Sequence, residues 1–504
     1  MSSRRSERED PRRRPADPAS VQRHTGATAR ERPDSARNAR ALGPTTPNRP
    51  PPSPTTSGTT NLPLRPASGV APRPSSGGGG GASRPPPAKL VYELHIAELA
   101  VQRAALATKA VLAKLHRSSS SSSKRGGSGG GSGGPISQYQ HSSSNNSTSL
   151  AKQDDSPVTI ADFAAQALLI SGLAKAFPDD GFLGEEDASA LRDPKNKDML
   201  AKVWELVDRT SLRDARSEAK LGKPRDVKEM LAFLDRGQED GKRRGRRYWV
   251  MDPVDGTSAF MKGGQYAIAL ALVQDGVELI GVLACPNLRF EPTMVPGAPG
   301  QRRDWMIQEF EADLEGYGLM LAAVKAGGAT VRPMGDGPLL KSMRVDRSRG
   351  ATPVARSRDA GRAEGPLGGL HFVDSKNSPK TLWTKVQHLA GPSYYSATQL
   401  YSSHMRYAAM VLGARDFVQV RWPNKLDAKW SIWDHVGSPL IYTESGPGTV
   451  TDMHGRPIKY DEGHKLKSYW GIITADASVY KDVLAAVQEA LAQDSKGRER
   501  SSRR

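Results

Sequence analysis

Several carboxylates stand near the ends of expected elements: Asp162, Glu185 and Glu186, Asp252 and Asp255, and Asp434. Hard divalent cations such as Mg²⁺ take carboxylate and carbonyl oxygens, with water or phosphate completing the shell. In MDPVDGTSAF, residues 251–260, the proline stiffens a turn on which Asp252 and Asp255 can meet on one side. The Val254 carbonyl can point the same way. Gly256 and Thr257 would then open a helix whose free N–H groups cradle a phosphate, and the Thr257 hydroxyl can orient a water. Two ions bridged by one carboxylate would activate water and stabilise a leaving oxygen. Each acid also has an ordinary structural use. Asp-Pro opens turns, Asp162 can cap a helix, Asp434 can sit at a helix N-terminus, and Glu185-Glu186 can be a solvated loop. Spacing alone leaves a surface turn and a metal site both open.

Whatever the acids do, regular elements must hold them. Order is expected from residue 90, where LVYELHIAELAVQRAALATKAVLAKL reads as a long amphipathic helix carrying Leu99, Leu106 and Ala110 on one face. In SPVTIADFAAQALLISGLAKAF, Thr159 three residues before Asp162 makes a capping-box start, and Phe163, Ala167, Ile170 and Leu173 mark an apolar face. YWVMDPVDGT reads as a strand ending in a tight turn, and AIALALVQDGVELIGVLACP as two strands joined at Asp275-Gly276. MRYAAMVLGA predicts a helix and DFVQVRW a strand; IWDHVGSPLIYTESG predicts a helix entered through Asp434. A last amphipathic helix is expected in SVYKDVLAAVQEALAQ. Strands and helices mix without regular alternation, so the expected class is layered α/β (α+β).

The net charge of +18 invites a nucleic-acid reading, so its location matters. Residues 1–89 hold 16 Lys/Arg against 6 Asp/Glu, residues 117–150 hold three basic residues and no acid, and residues 494–504 hold five basic and two acidic residues. These segments carry +16 of the total, which leaves the remainder about neutral and argues against a specific nucleic-acid partner. Their Pro, Ser, Gly and Arg-rich composition predicts disorder for 1–89, for an insert at about 117–150 and for a tail at 488–504. A further loop insert is expected at about 345–369 within an ordered domain spanning 90–487. A single cysteine, Cys285, excludes an internal disulfide and a cysteine-clustered zinc site, and reads as a core residue. His435 and the tryptophans Trp249 and Trp433 likewise read as packing residues. No run of about 18 apolar residues predicts a membrane span, and the N-terminus lacks a signal-peptide h-region. A cytoplasmic monomer is expected; an organelle is the alternative if the Arg- and Ser-rich start is a transit peptide.

The stretches GEED, WVMDPVDGT and WDH followed by ESG, in this order, resemble the inositol-monophosphatase-type superfamily of metal-dependent, lithium-sensitive phosphatases. Within it, FPDDGFLGEEDAS and LACPNL are closer to the 3′(2′),5′-bisphosphate nucleotidase family. The resemblance runs from about residue 90 to 485 and implies a layered αβαβα sandwich. It also implies two or three Mg²⁺ ions, with Glu185, Asp252 and the Val254 carbonyl on one and Asp252, Asp255 and Asp434 on a second. Thr257, hydrogen-bonded to Asp162, would activate the attacking water, and the Gly256 and Thr257 amides would grip the scissile phosphate. The implied reaction removes the 3′-phosphate of 3′-phosphoadenosine 5′-phosphate, giving AMP, by direct attack of water; 3′-phosphoadenylyl sulfate is a further implied substrate.

The substrate half follows the family less closely. Its D-S-x-x-K-Y pattern reads Ser402-Ser403-His404-Met405-Arg406-Tyr407, so Ser403 and Arg406 stand as candidate substrate contacts. Lys376 is placed where the family has a histidine, and Arg421 where it has an arginine, one residue late in a strand, a slip that would reverse its face. Pro439 interrupts the helix after WDH, costing about 3 kcal/mol unless it lies in the first turn. Alternative readings are an inositol (poly)phosphate 1-phosphatase and a homologue kept as a scaffold.

Overall fold

The structure is a computed structural model and describes residues 90–122, 149–151, 157–239, 245–302, 305–350, 367–377, 388–389, 398–423 and 429–502. The expectations for 1–89, for most of the insert at 117–150 and for 351–366 lie outside the described residues. Helix α1 (Val91–Ser122) packs on α2 (Ile160–Ala176), and together they cover one face of a seven-stranded sheet. A short antiparallel pair, β1 (Ser149–Ala151) and β2 (Pro157–Thr159), leads into α2. The large sheet has the order β3 (Gly181–Gly184), β4 (Arg247–Asp255), β5 (Ala267–Gln274), β6 (Val277–Cys285), β7 (Leu319–Val324), β8 (Gly328–Pro333), β9 (Met343–Val345). Only β3 and β4 run parallel; the other neighbours are antiparallel.

The alternation in AIALALV explains how both faces of this sheet become covered. Ile268, Leu270 and Leu272 point into the core shared with α1 and α2, whereas Ala267 and Ala269 point the other way. The small face lets two helices approach closely, Ser403–Leu412 and Ser438–Glu444. The approach is tightest at Gly281, where an added Cβ would stand 2.3 Å from the Gly437 carbonyl oxygen. The β5–β6 hairpin turns at Asp275 (φ 53°) and Gly276 (φ 74°), the two positive φ values that a two-residue Asp-Gly turn requires.

Beyond those helices lies a five-stranded sheet in the order β11 (Thr398–Leu400), β10 (His371–Ser375), β12 (Phe417–Arg421), β16 (Ile472–Asp476), β14 (Gly448–Thr451). A two-stranded ribbon pairs β13 (Trp430–Ser431) with β15 (Lys465–Leu466). Val418, Val420, Ile473 and Ala475 on the outer face of the second sheet bury Val479, Val483, Ala486 and Val487 from the C-terminal helix Tyr480–Ser502 and the turn before it. The layers are therefore helix, sheet, helix, sheet, helix, as the αβαβα expectation had them.

The helix Tyr480–Ser502 extends from a packed first half past residue 488, with no proline to break its propagation. Val345 ends β9 and Arg347 is 1% exposed, so the chain is packed at both positions. One expectation, the entry of the helix after WDH, is corrected. The helix after WDH begins at Ser438, not at Asp434; Gly437 (φ 85°) turns the chain between them. Pro439 thus falls in the first helical turn, where its missing N–H costs nothing. Arg103 stands among apolar residues of α1 yet is fully buried. It donates to Glu218 at 2.9 Å and to the carbonyls of Leu168 (2.9 Å) and Gly222 (2.7 Å), which offset the loss of water. Among the described residues, no helix is long and apolar enough to cross a membrane.

Candidate active site

β4 carries the centre of the site. In a regular strand, residues three apart face opposite ways, which would separate Asp252 from Asp255. Here Asp252 pairs with Ala269 and Asp255 with Ala267, so three steps on β4 match two on β5. The extra residue is a bulge, a place in a sheet where Pro253 is tolerated, and it turns Asp255 back to the side of Asp252. Asp434 arrives from the turn ahead of helix Ser438–Glu444. Each of the three acids offers an oxygen within 4.8 Å of the other two. Asp252 and Asp255 are buried and Asp434 is half-buried.

Repulsion within this cluster is visible on Asp434. Burial first, then the charges of Asp255 and Glu185, push its carboxyl up to about 7, against the pull of Arg421 and Lys465. Three crowded carboxylates with oxygen-only donors fit a hard divalent cation, whose charge would favour the ionised form of Asp434. One oxygen of Asp255 is already fixed, receiving the Ser402 hydroxyl at 2.5 Å and the His404 N–H at 2.6 Å. Glu185 stands outside the three-acid group. It follows Gly184, which pairs in parallel with Met251, so Glu185 comes level with Asp252.

Two further residues close the turn. Gly256 has φ 91°, and an added Cβ would lie 2.9 Å from the Ser402 Cβ; a side chain is excluded on both counts. The Thr257 hydroxyl lies 3.1 Å from the Val254 carbonyl and 3.5 Å from Asp162 Oδ1. Asp162 thus uses both oxygens: Oδ2 accepts from the Thr159 N–H (2.9 Å) and hydroxyl (2.6 Å) as a helix cap, and Oδ1 faces the Thr257 hydroxyl.

The facing wall comes from helix Ser403–Leu412 and β12. Phe417 belongs to the core beneath that helix and Val418 to the outer core, so Arg421, four residues after Phe417, faces inward despite its late position. Its guanidinium donates to the Ser403 hydroxyl (3.0 Å) and His435 Nε2 (3.1 Å) and lies 4.7 Å from the Trp430 ring. Burial, with the charge of Arg421 next, holds His435 well below its ordinary pKa, so it accepts that bond as a neutral ring. Arg406 is 1% exposed and committed to the protein, donating to the carbonyls of Leu400 and Tyr401 and to Ser403. Lys376 lies further out, its ammonium 5.0 Å from the Phe310 ring.

Three positioning residues escaped the sequence reading. Gln166 accepts the Glu186 N–H at 2.9 Å and donates to the Glu186 carbonyl at 2.5 Å, clamping the Glu185 loop to α2. Its signal was a lone amide in a helix apolar all round. Ser402 caps helix Ser403–Leu412 and His404 stands in its first turn, and their contacts to Asp255 are long-range.

The family model for the inositol monophosphatase family matches residues 128–493. A 3′(2′),5′-bisphosphate nucleotidase of Emericella nidulans is 33% identical over 400 residues, covering 79% of this chain and 98% of that protein. The enzyme of the same name from Schizosaccharomyces pombe is 32% identical over 69% of this chain and 88% of its own length. That from Oryza sativa is 29% identical over 68% and 86%. A bulged strand presenting paired acids, a third acid from across the fold and a match spanning most of the chain agree. The chain belongs to the inositol monophosphatase family.

Proposed function

We propose that this protein is a Mg²⁺-dependent phosphoric monoester hydrolase that removes the 3′-phosphate of 3′-phosphoadenosine 5′-phosphate, giving AMP and phosphate. The observation that carries the reading is the carboxylate cluster at the β4 bulge, in a chain that covers 98% of a relative named for this substrate class. Glu185, Asp252, the Val254 carbonyl, Asp255 and Asp434 would hold two or three Mg²⁺ ions. Such ions polarise a phosphoryl oxygen and lower the pKa of water. The protein's own residues then do the positioning. The Gly256 and Thr257 N–H groups hold the scissile phosphate at a turn too tight for any side chain at 256. Thr257 donates its hydroxyl proton toward Asp162, and its oxygen accepts a hydrogen bond from the attacking water, aiming a lone pair at phosphorus. The departing 3′-oxygen leaves in line, with no phosphorylated side chain between. Ser403, Arg421 and Lys376 lie on the substrate side, and Arg406 acts on it by fixing Ser403 and the Leu400–Tyr401 carbonyls.

The test is phosphate release from 3′-phosphoadenosine 5′-phosphate and from inositol phosphates with Mg²⁺, with and without Li⁺, for the wild type and Asp252→Asn. Release is expected fastest from the nucleotide, inhibited by Li⁺, and lower by more than about a hundredfold in the variant. No release from any substrate would sink the enzyme reading. Turnover that survives the substitution would remove the metal site from β4.

A further inference from the structure

Beyond the carboxylates, a group of side chains gathers at the rim of the site, Lys262 and Phe310 exposed and Lys376 and Tyr401 half-buried. Tyr401 immediately precedes Ser402, the residue that bonds Asp255 and abuts Gly256. Its ring lies under two ammonium groups, Lys262 Nζ at 5.6 Å and Lys376 Nζ at 5.9 Å. Lys376 also lies 5.0 Å from the ring of Phe310, which is 55% exposed. Lys262 is five residues past Thr257 on the chain that leaves the phosphate turn, and it is exposed.

This rim is built rather than incidental. The Glu309 carboxylate, 4% exposed, accepts the N–H of Tyr401 at 2.8 Å and that of Gln265 at 3.2 Å, tying the Phe310 loop to β11 and to the entry of β5. Burial pushes that carboxyl up to about 7. Such a group is kept for the geometry it imposes, and the geometry holds Phe310 out toward solvent. The ring also borders a cavity of 560 Å³ whose walls include Trp305 and Ile307, leaving room beside it for a planar group. The Lys376 ammonium is near enough to the Glu309 carboxylate for its charge to oppose the rise of that carboxyl.

Two cations over two aromatic rings, one step from the phosphate turn, match a ligand with a second phosphate and an aromatic base. An inositol phosphate offers the charge but no π-face. The geometry points to Phe310 and Tyr401 as the stacking platform for the base, and to Lys262 with Lys376 as the seat of the phosphate that is not cut. This assignment rests on the nucleotidase reading and makes the rim, not the metal cluster, the source of its preference for nucleotides.

Binding of AMP and of inositol 1,4-bisphosphate to the full-length protein, with Ca²⁺ replacing Mg²⁺ to suppress turnover, separates the possibilities by calorimetry. Phe310→Ala and Lys262→Met are each expected to raise the Kd for AMP about tenfold, with Phe310→Tyr restoring it. The Kd for inositol bisphosphate should move less than about twofold in Phe310→Ala. The loss should appear in KM for 3′-phosphoadenosine 5′-phosphate rather than in kcat. AMP that does not bind the wild type, or binds Phe310→Ala and Lys262→Met as it binds the wild type, overturns the rim. So does an equal loss for AMP and inositol bisphosphate in Phe310→Ala. If the nucleotide is hydrolysed while the variants are unaffected, the rim falls and the nucleotidase stands. If AMP affinity responds but no nucleotide is hydrolysed, the rim stands and the nucleotidase falls.

Discussion

At the scale of the residue, the distance between Asp434 and Asp255 depends on a side chain that touches neither carboxylate. The His404 N–H reaches Asp255, while its ring Nε2 donates to the Trp433 carbonyl and Nδ1 accepts from the Ser438 hydroxyl, both at 2.7 Å. Trp433 and Ser438 bracket the turn that carries Asp434. Burial lowers the pKa of this imidazole, which suits the neutral tautomer these two bonds require. Removing the ring leaves a buried hydroxyl and a buried carbonyl unpaired, at about 1–3 kcal/mol each. His404→Ala is therefore expected to weaken Mn²⁺ binding, followed by electron paramagnetic resonance, about tenfold. His404→Gln, able to reach one of the two partners, should recover part of the loss. Mn²⁺ affinity equal to wild type in His404→Ala would show that Asp434 is placed without the imidazole.

At the scale of the element, the site depends on a bulge and a clamp, and the two differ in how far the sequence announces them. The capping box, the Asp-Gly hairpin and the alternation of β5 are local, set by neighbours within a few residues, and the chain reads correctly at each. The proline in β4 announced a stiff turn, but the bulge that puts Asp252 and Asp255 on one face is a relation between β4 and β5, which residue spacing alone does not contain. The entry to helix Ser438–Glu444 was misplaced for a related reason: the close approach of Gly437 to Gly281 on β6, not the acid, decides where the turn lies. Resemblance supplied Asp434, since nothing in 178 intervening residues links it to Asp255. The clamp is testable. Gln166→Leu keeps α2 apolar but strips the partner from the Glu186 N–H and leaves its carbonyl only the Gln238 amide at 2.9 Å, and Gly184 already lies too close for a larger replacement, its added Cβ being 2.5 Å from Gln166 Oε1. Faster amide exchange is expected at residues 185–188, with a higher Mg²⁺ requirement and a kcat largely recovered at saturating metal. Exchange rates equal to wild type would assign the loop's order to β3 instead.

At the scale of the whole molecule, the two sheets must keep their separation for an acid on β4 to meet one from beyond the helix layer. A buried ion network does this. Arg347, just past β9 on the large sheet, donates to the Tyr442 hydroxyl (3.0 Å) on the middle helix and to Asp476 (3.2 Å) at the end of β16 on the second sheet. Its guanidinium lies 4.0 Å from the Tyr442 ring, and Arg415 donates to both oxygens of Asp476, at 2.9 and 3.2 Å. Burial alone would raise the Asp476 carboxyl, yet hydrogen bonds from Arg415 and Ser478 and the Arg347 charge bring it below its ordinary 3.8. A carboxyl lowered on folding stabilises fully above 3.8 and loses that contribution as pH falls through the lower, folded value. Asp476→Asn should accordingly lower stability most at pH 7, with its denaturation midpoint approaching that of the wild type toward pH 2. Arg347→Met, which leaves a buried carboxylate short of a partner, is expected to cost about 3 kcal/mol at pH 7. If the wild type and Asp476→Asn differ equally at both pH values, the network acts through packing and not through charge. Either way, loosening it frees the helix behind Asp434, so metal affinity should fall along with stability in Arg347→Met.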